Sequence, residues 1–254
     1  MFPALIIAIY LLEEREGREK KKSSIEGEDI PKVLRRARRG LGAGSAIRKN
    51  PGGLARASKA KAKEYRELHR TLEAEYKPVK DEIYFDLETL RLSAEVDGGW
   101  RNIKDFGLAV AVTWDQEHQF RHWYEGDAKS LITELRKFSR IVTFNGDGFD
   151  FEVLRGYAPI RVPRGRSLDL LSDLNRKLGH RVSLDHVGEQ TLGRYKSGSG
   201  LDAIKWWRAG NRKKVVRYCE NDVQLLVDLV AFARKHRHIL VESHHRQKKV
   251  PVKW

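Results

Sequence analysis

Two acidic residues, Asp86 and Glu88, end a short apolar segment that begins at Ile83. Residues two apart on a β-strand point to the same face, so a strand here would place both carboxylates on one side of a sheet and Leu87 on the other. Adjacent carboxylates repel one another, and a cation bound between them relieves that repulsion. The pair therefore fits either a metal-binding site or a strand that ends in a solvated acidic turn.

A further carboxylate, Asp150, follows the apolar segment Ile141–Phe144 and the turn residues Asn145–Gly146. We expect a buried strand, then a glycine-containing turn, then a helix that begins near Asp150. Both strands would end at the same edge of the sheet, which would bring Asp150 close to Asp86 and Glu88. An ordinary Asn-Gly turn followed by an aspartate helix cap fits the same residues.

A long helix is predicted over residues 211–236, and it carries Tyr218 and Asp222. These residues are four apart, so they lie one turn above each other on a single face of the helix. The buried stripe of this helix is predicted to contain Val215, Cys219, Val223, Leu226 and Val230. The alternative for the pair is an aromatic ring half in the core beside a solvated aspartate, and Cys219 is expected to be an inert core thiol.

The elements that must position these residues follow from hydrophobic periodicity. Strands are predicted at residues 83–85, 107–114, 118–124 and 141–144. Helices are predicted at 127–140, behind an Asp127 cap, and at 211–236, with helices and loops over 175–210. This order predicts an α/β fold, in which a three-strand antiparallel meander is extended by parallel strands and flanked by helices.

The chain has 254 residues, with 50 Lys and Arg against 35 Asp and Glu, and a formal net charge of +15. This charge favours a polyanionic partner, with nucleic acid first and an anionic membrane second. Eleven cations lie between residues 32 and 63 with no acidic residue among them. We expect a flexible basic arm over residues 1–78, which either tethers phosphates or is a solvated linker. A domain over 79–240 and a fraying basic tail over 241–254 would follow.

Compartment signals are few. The first twelve residues are nearly all apolar, but a membrane-spanning helix needs roughly 20 such residues. We expect a packing segment there, with a peripheral membrane contact as the alternative. A single cysteine excludes an internal disulfide and fits a reducing compartment. The expectation is a cytoplasmic protein with no membrane span.

The three motifs, taken in this order, resemble the DEDD superfamily of 3′-to-5′ exonucleases with an RNase H-like fold, in its tyrosine-containing (DEDDy) branch. The residues that carry the resemblance are Phe85–Thr89, Asn145, Phe149–Asp150, Ser183–Val187, Thr191–Gly193, Trp206–Trp207, Tyr218 and Asp222. The chain also looks like the YprB-like exonuclease domains that are found attached to helicases. The resemblance covers residues 81–238 and leaves the basic arm unexplained.

The resemblance implies a metal-dependent 3′-to-5′ exonuclease that hydrolyses phosphodiester bonds at the 3′ end of nucleic acid. Its four carboxylates, Asp86, Glu88, Asp150 and Asp222, would hold two divalent cations, Mg²⁺ or Mn²⁺, that clamp the scissile phosphate. Tyr218 would orient the attacking water as a hydrogen-bond donor, because the ordinary pKa of a phenol is about 10. The expected partners are a single-stranded 3′ end of DNA or RNA and a helicase.

Two other functions fit the same residues: a structure-specific endonuclease on this fold, and a non-catalytic nucleic-acid-binding module. Candidate nucleic-acid contacts are Asn145, Lys196, Arg35, Arg36, Arg38 and Arg39. Trp206 and Trp207 fit either base stacking or core packing. Asp147 is a spare carboxylate near the second motif, whereas Asp169 and Asp185 are expected to be caps or turn residues.

Overall fold

The computed structural model describes residues 81–194, 199–243 and 246–254, together with Lys63, Glu67 and Arg70. Its centre is a five-stranded sheet in the order β3-β2-β1-β4-β5. The strands are β1 (Glu82–Thr89), β2 (Leu108–Asp115), β3 (Gln119–Tyr124), β4 (Arg140–Thr143) and β5 (Ser167–Asp169). The first three form an antiparallel meander, and β4 and β5 extend it in parallel to β1. The predicted mixed α/β fold is confirmed.

Strand β1 separates two hydrophobic cores because its side chains alternate between the two faces of the sheet. Three of its residues lie in one core, against helix α1 (Ala128–Leu135): Ile83, Phe85 and Leu87. Tyr84 lies in the other core, against helix α6 (Arg212–His236). The same alternation directs Asp86 and Glu88 to the α6 face of the sheet, near the end of the strand.

Four further α-helices lie between α1 and α6 in the described residues: α2 (Asp150–Arg155), α3 (Leu170–Leu178), α4 (Leu184–Leu192) and α5 (Gly200–Arg208). The helix predicted over 127–140 is shorter than expected. The Asp127 carboxylate accepts a hydrogen bond from the Tyr124 N–H at 3.0 Å inside a 3₁₀ turn, so it ends that turn instead of capping α1. At the other end, Arg140 already belongs to β4.

The fraying tail predicted after Val241 is wrong. Strands β6 (His238–Ser243) and β7 (Arg246–Pro251) pair as an antiparallel hairpin, and the boundary predicted at residue 240 falls inside β6. Four apolar residues of this region are buried: Ile239, Val241, Val250 and Val252. Within each strand region they recur with a period of two, which gives the hairpin one apolar face. The basic residues that lie between the two pairs in the sequence conceal this alternation. Trp254 is anchored at the end of this region, because its indole Nε1 donates a hydrogen bond to Asp173 Oδ2 at 2.9 Å.

None of the helices in the described residues is long and apolar enough to span a membrane. The apolar start of the chain and the basic arm over 1–78 lie outside the described residues, apart from the three residues named above. The predictions made for these segments stay predictions.

Replacing Trp254 tests whether the hairpin region is part of the folded core. Trp254 is 7% exposed, and Trp254→Ala removes both its buried ring and its hydrogen bond to Asp173. We expect the free energy of unfolding to fall by about 3 kcal/mol in urea titrations. The neighbouring exposed Lys253 provides the control, because Lys253→Ala should change it by less than about 0.5 kcal/mol. Equal stabilities for the two variants would contradict the packing described here.

Candidate active site

Three carboxylates converge at the carboxyl end of β1: Asp86, Glu88 and Asp222, here called the acidic cluster. One oxygen from each lies within 4.8 Å of one oxygen from each of the others. Asp86 and Glu88 share a face of β1, and α6 packs on that face and brings Asp222 to them. Glu88 is buried, while Asp86 and Asp222 are half-buried.

The acidic cluster has the donor chemistry of a hard-cation site. All three groups are carboxylates, and oxygen is the ligand atom that Mg²⁺ and Mn²⁺ prefer. Partial exposure of two of them leaves room for water to complete the coordination shell, as Mg²⁺ usually requires. Like charges this close destabilise one another, and a divalent cation bound between them removes that repulsion. The residues present therefore fit a divalent metal.

Tyr218 lies one helical turn before Asp222 and is 4% exposed. Burial is the main cause that raises the pKa of its hydroxyl, and the negative charges of Asp222, Glu88 and Asp86 raise it further. The hydroxyl therefore stays protonated at neutral pH. Tyr218 belongs beside the acidic cluster, where it can donate a hydrogen bond but cannot act as a base.

Cys219 is a residue of this site that the sequence reasoning did not place there. It is a buried core thiol, as predicted, but its Sγ lies 3.4 Å from the carbonyl oxygen of Asp86 and 3.5 Å from its Oδ2. Burial and the charges of Asp86 and Glu88 raise the pKa of the thiol. The thiol is thus a weak hydrogen-bond donor to Asp86. In the sequence, only its position directly after Tyr218 could have indicated that Cys219 lies in this site.

Asp150 lies at the same edge of the sheet but is not one of the three carboxylates that converge within 4.8 Å. It is the first residue of α2 and is 3% exposed. Burial raises its pKa to about 8, although a hydrogen bond from the backbone N–H of Leu87 opposes that effect. Because Leu87 lies between Asp86 and Glu88, this bond ties Asp150 to the strand that carries the cluster.

The turn after β4 is held by a second polar network. Asp169 caps α3, as expected, and its buried carboxylate also accepts hydrogen bonds from the N–H groups of Asn145 at 2.8 Å and Asp147 at 3.2 Å. Asn145 has a left-handed backbone conformation, with φ of 75°. Its Oδ1 accepts a hydrogen bond of 2.7 Å from Nη2 of Arg181, a residue the sequence did not single out. The Asn145 side chain is therefore held by Arg181 in the turn after β4.

Several predicted residues lie elsewhere. The exposed Asp147 accepts a hydrogen bond of 2.6 Å from Ser167 and is outside the acidic cluster. Ser183 caps α4, and Asp185 lies in the first turn of that helix, where its charge contributes to the raised pKa of Tyr218. Five predicted nucleic-acid contacts lie outside the described residues: Lys196, Arg35, Arg36, Arg38 and Arg39.

A family model for the RNase_H superfamily, RNase_H_2, matches residues 83–235, which include all four predicted carboxylates and Tyr218. The chain belongs to the RNase_H superfamily. Membership fits nuclease activity and nucleic-acid binding, and RNase H-like nucleases use divalent metals. The acidic cluster is thus a metal-binding candidate in a family where such metals are used.

The chain was also compared with solved structures and with curated proteins. Among solved structures, the chain is similar to the family B DNA polymerase from the hyperthermophilic archaeon Pyrobaculum calidifontis, with 18% sequence identity and a TM-score of 0.44. That similarity covers 63% of this chain and 25% of the polymerase, so the chain spans about a quarter of the polymerase's length. A search of curated proteins found no match.

Metal binding to the acidic cluster predicts a thermal shift. At about ten times its Kd, Mg²⁺ or Mn²⁺ should stabilise the fold by about 1.4 kcal/mol and raise Tm by about 3 °C or more in differential scanning fluorimetry. Asp86→Asn should remove most of this shift. Asp147→Asn, which changes an exposed carboxylate outside the cluster, should retain it. No shift at millimolar metal, or equal shifts in both variants, would count against the site.

Gly146 is needed for the close approach of the turn to β4. A Cβ at this position would lie 2.4 Å from Thr143 Oγ1 and 2.6 Å from Thr143 Cβ, closer than such atoms can approach. We expect Gly146→Ala to lower the free energy of unfolding by about 1–3 kcal/mol, measured by urea titration. Gly165 is the matched control, since a Cβ there would meet nothing within 4 Å. A Gly146→Ala protein as stable as the Gly165→Ala protein would show that the turn relaxes without cost.

Proposed function

We propose that the protein is a 3′-to-5′ exonuclease of the DEDDy type, which hydrolyses phosphodiester bonds at a single-stranded 3′ end with two divalent cations. The observation that carries the proposal is the convergence of Asp86, Glu88 and Asp222 beside the buried hydroxyl of Tyr218. Family membership supports nuclease chemistry. The YprB-like relationship and a helicase partner remain predictions from the sequence motifs.

The carboxylates have distinct parts in this mechanism. Asp86, Glu88 and Asp222 would hold one cation, and Asp150 would be the fourth carboxylate, which contributes with Asp86 to the second. The bound cations would supply charge stabilisation of the scissile phosphate and a more acidic water. The Leu87 N–H bonds Asp150 to the strand that carries Asp86 and Glu88, which supports this part for Asp150.

Tyr218 would orient the attacking water. Its buried hydroxyl keeps its proton next to several carboxylates, so it can donate a hydrogen bond to the nucleophile but cannot accept its proton. As water forms the new P–O bond and the bond to the 3′ oxygen breaks, the proton of the water would therefore pass to a carboxylate or to solvent, and the leaving 3′ oxygen would take up a proton from solvent. Cys219, the next residue along the helix, contacts Asp86 through the carbonyl oxygen and Oδ2 of that residue.

Degradation of labelled oligonucleotides tests the proposal directly. At least one of single-stranded DNA and single-stranded RNA, each with a 5′ fluorophore, should be shortened stepwise from the 3′ end in Mg²⁺ or Mn²⁺ and not in EDTA. Asp86→Asn should lower the rate by at least about 100-fold, because it removes a ligand of the metal centre. Asp147→Asn should retain the rate. Activity that persists in EDTA, or in the Asp86→Asn protein, would exclude the mechanism.

A substrate blocked at its 3′ end separates the two nuclease functions, since only an endonuclease should cut it. A protein that binds these oligonucleotides and cuts none of them in any metal would be a non-catalytic binding module.

Tyr218→Phe tests the role of the hydroxyl separately from that of the metal. The phenyl ring keeps the packing, so the metal-dependent thermal shift should be unchanged while kcat falls by about 100-fold, the cost of removing one oriented donor. Loss of the thermal shift as well would mean that the tyrosine acts on metal binding or on folding. An unchanged kcat would show that the hydroxyl does not orient the nucleophile.

A further inference from the structure

An aromatic surface lies beside Tyr218, on α5 and on the end of β3. It consists of Tyr124, Trp206 and Trp207, here called the aromatic ledge. The Trp206 ring meets the Tyr218 ring edge-on, with 5.9 Å between their centroids. Trp207 and Tyr124 are 6.4 Å apart with an angle of 31° between their planes. The ledge therefore continues outward from the candidate catalytic tyrosine.

The register of the sheet fixes the ledge relative to the acidic cluster. Glu88 on β1 pairs with Val110 on β2, and Val110 pairs with Tyr124 on β3. Residues paired in this way point to the same face, and neighbouring strands lie about 4.8 Å apart, so the Cα atoms of Glu88 and Tyr124 are roughly 10 Å apart. A strand of nucleic acid with its end at the cluster can reach the ledge.

Exposure separates Tyr124 from ordinary core residues. Its side chain is 41% exposed, and no other large hydrophobic side chain among the described residues is exposed. Trp206 and Trp207 are half-buried and also pack against the core, which holds the ledge in place. Arg208 at the end of α5 also holds the ledge in place, because it pairs with Glu95 and donates a hydrogen bond to the Leu90 carbonyl at 3.2 Å. Core packing accounts for part of each tryptophan side chain, but it does not account for the exposed ring of Tyr124.

The end of α5 and the start of α6, next to the two tryptophans, are basic, although Arg208 is paired with Glu95 and the acidic Glu125 and Asp127 follow Tyr124. Six cations and no acidic residue occur between 205 and 217: Lys205, Arg208, Arg212, Lys213, Lys214 and Arg217. The Arg212 guanidinium lies 5.1 Å from the centroid of the Trp207 ring, and the Lys214 ammonium lies 3.8 Å from that of Trp206. Within the described part of the chain, Arg212 forms no ion pair with a carboxylate, so its charge is available to a phosphate.

We propose that the aromatic ledge binds single-stranded nucleic acid, with a base stacked on Tyr124 and Trp207 and an adjacent phosphate bound by Arg212. This inference rests on the proposed function, since it names how the substrate is held next to the acidic cluster. Bases in a duplex already have both faces stacked, whereas unpaired bases can stack on aromatic side chains. Stacking is available to every base, so this surface selects for single strands and not for a sequence.

Binding in EDTA tests the ledge without hydrolysis. The full chain is titrated into 5′-fluorescein-labelled oligothymidylate or oligouridylate and followed by fluorescence anisotropy. Tyr124→Ala should weaken binding roughly 5-fold or more, as expected for the loss of one stacked base, and Tyr124→Phe should restore it. Arg212→Gln should lower the slope of log K against log salt concentration by about 0.7. Arg176→Gln, on the exposed side of α3, is the control and should change neither quantity.

Photo-cross-linking locates the contact even if the basic arm dominates the affinity. An oligonucleotide with 5-iodouridine near its 3′ end should cross-link to Tyr124 or Trp207, as identified by mass spectrometry of the digested protein. Cross-links only elsewhere, together with wild-type binding by Tyr124→Ala, would overturn the proposal.

The outcomes separate the two proposals. Binding that depends on Tyr124, with no hydrolysis in Mg²⁺ or Mn²⁺, would reject the exonuclease function and keep the ledge. Normal hydrolysis with no dependence on Tyr124 would reject the ledge alone.

Discussion

Electrostatic repulsion among three carboxylates is the constraint on which the site depends. Asp86, Glu88 and Asp222 would separate if the backbone could move, and a packed core on each side of β1 prevents this. Tyr84 and Phe85, which precede the acidic pair, are completely buried on opposite faces of the sheet. Strand β1 is therefore immobilised where the repulsion is greatest, and α6 is held against it by its own buried stripe. The stability of the two cores maintains an arrangement that favours a cation.

Local periodicity was enough to predict much of this arrangement. A period of two placed Asp86 and Glu88 on one face, and a spacing of four placed Tyr218 and Asp222 on another. The parallel extension of the sheet followed from the crossover helix, and Asp169 was expected to be a cap. These features depend on residues close in sequence or on general rules of chain connection, so the sequence contains the necessary signal. Family membership agrees with the fold that the motifs implied.

The remaining features depend on contacts between distant residues, which have no local pattern. Neither the Cys219 thiol near Asp86 nor the bond from Arg181 to Asn145 could be read from spacing, because they join separate elements. Strand β5 has three residues, too few for a period to be recognised. In the C-terminal hairpin, exposed lysine and arginine residues diluted an alternation that is clear once the pairing is known. Asp150 reached the expected edge, but its exact place there depends on which backbone group it bonds.

For the exonuclease and the aromatic ledge proposed above, the distance between Tyr124 and Glu88 sets a length scale for the substrate. Roughly 10 Å corresponds to about three nucleotides at the stacked rise of about 3.4 Å per nucleotide. A shorter oligonucleotide could not contact the aromatic ledge and the acidic cluster at the same time. On both proposals, degradation would consequently slow at oligomers of a few nucleotides, which are too short to occupy both surfaces.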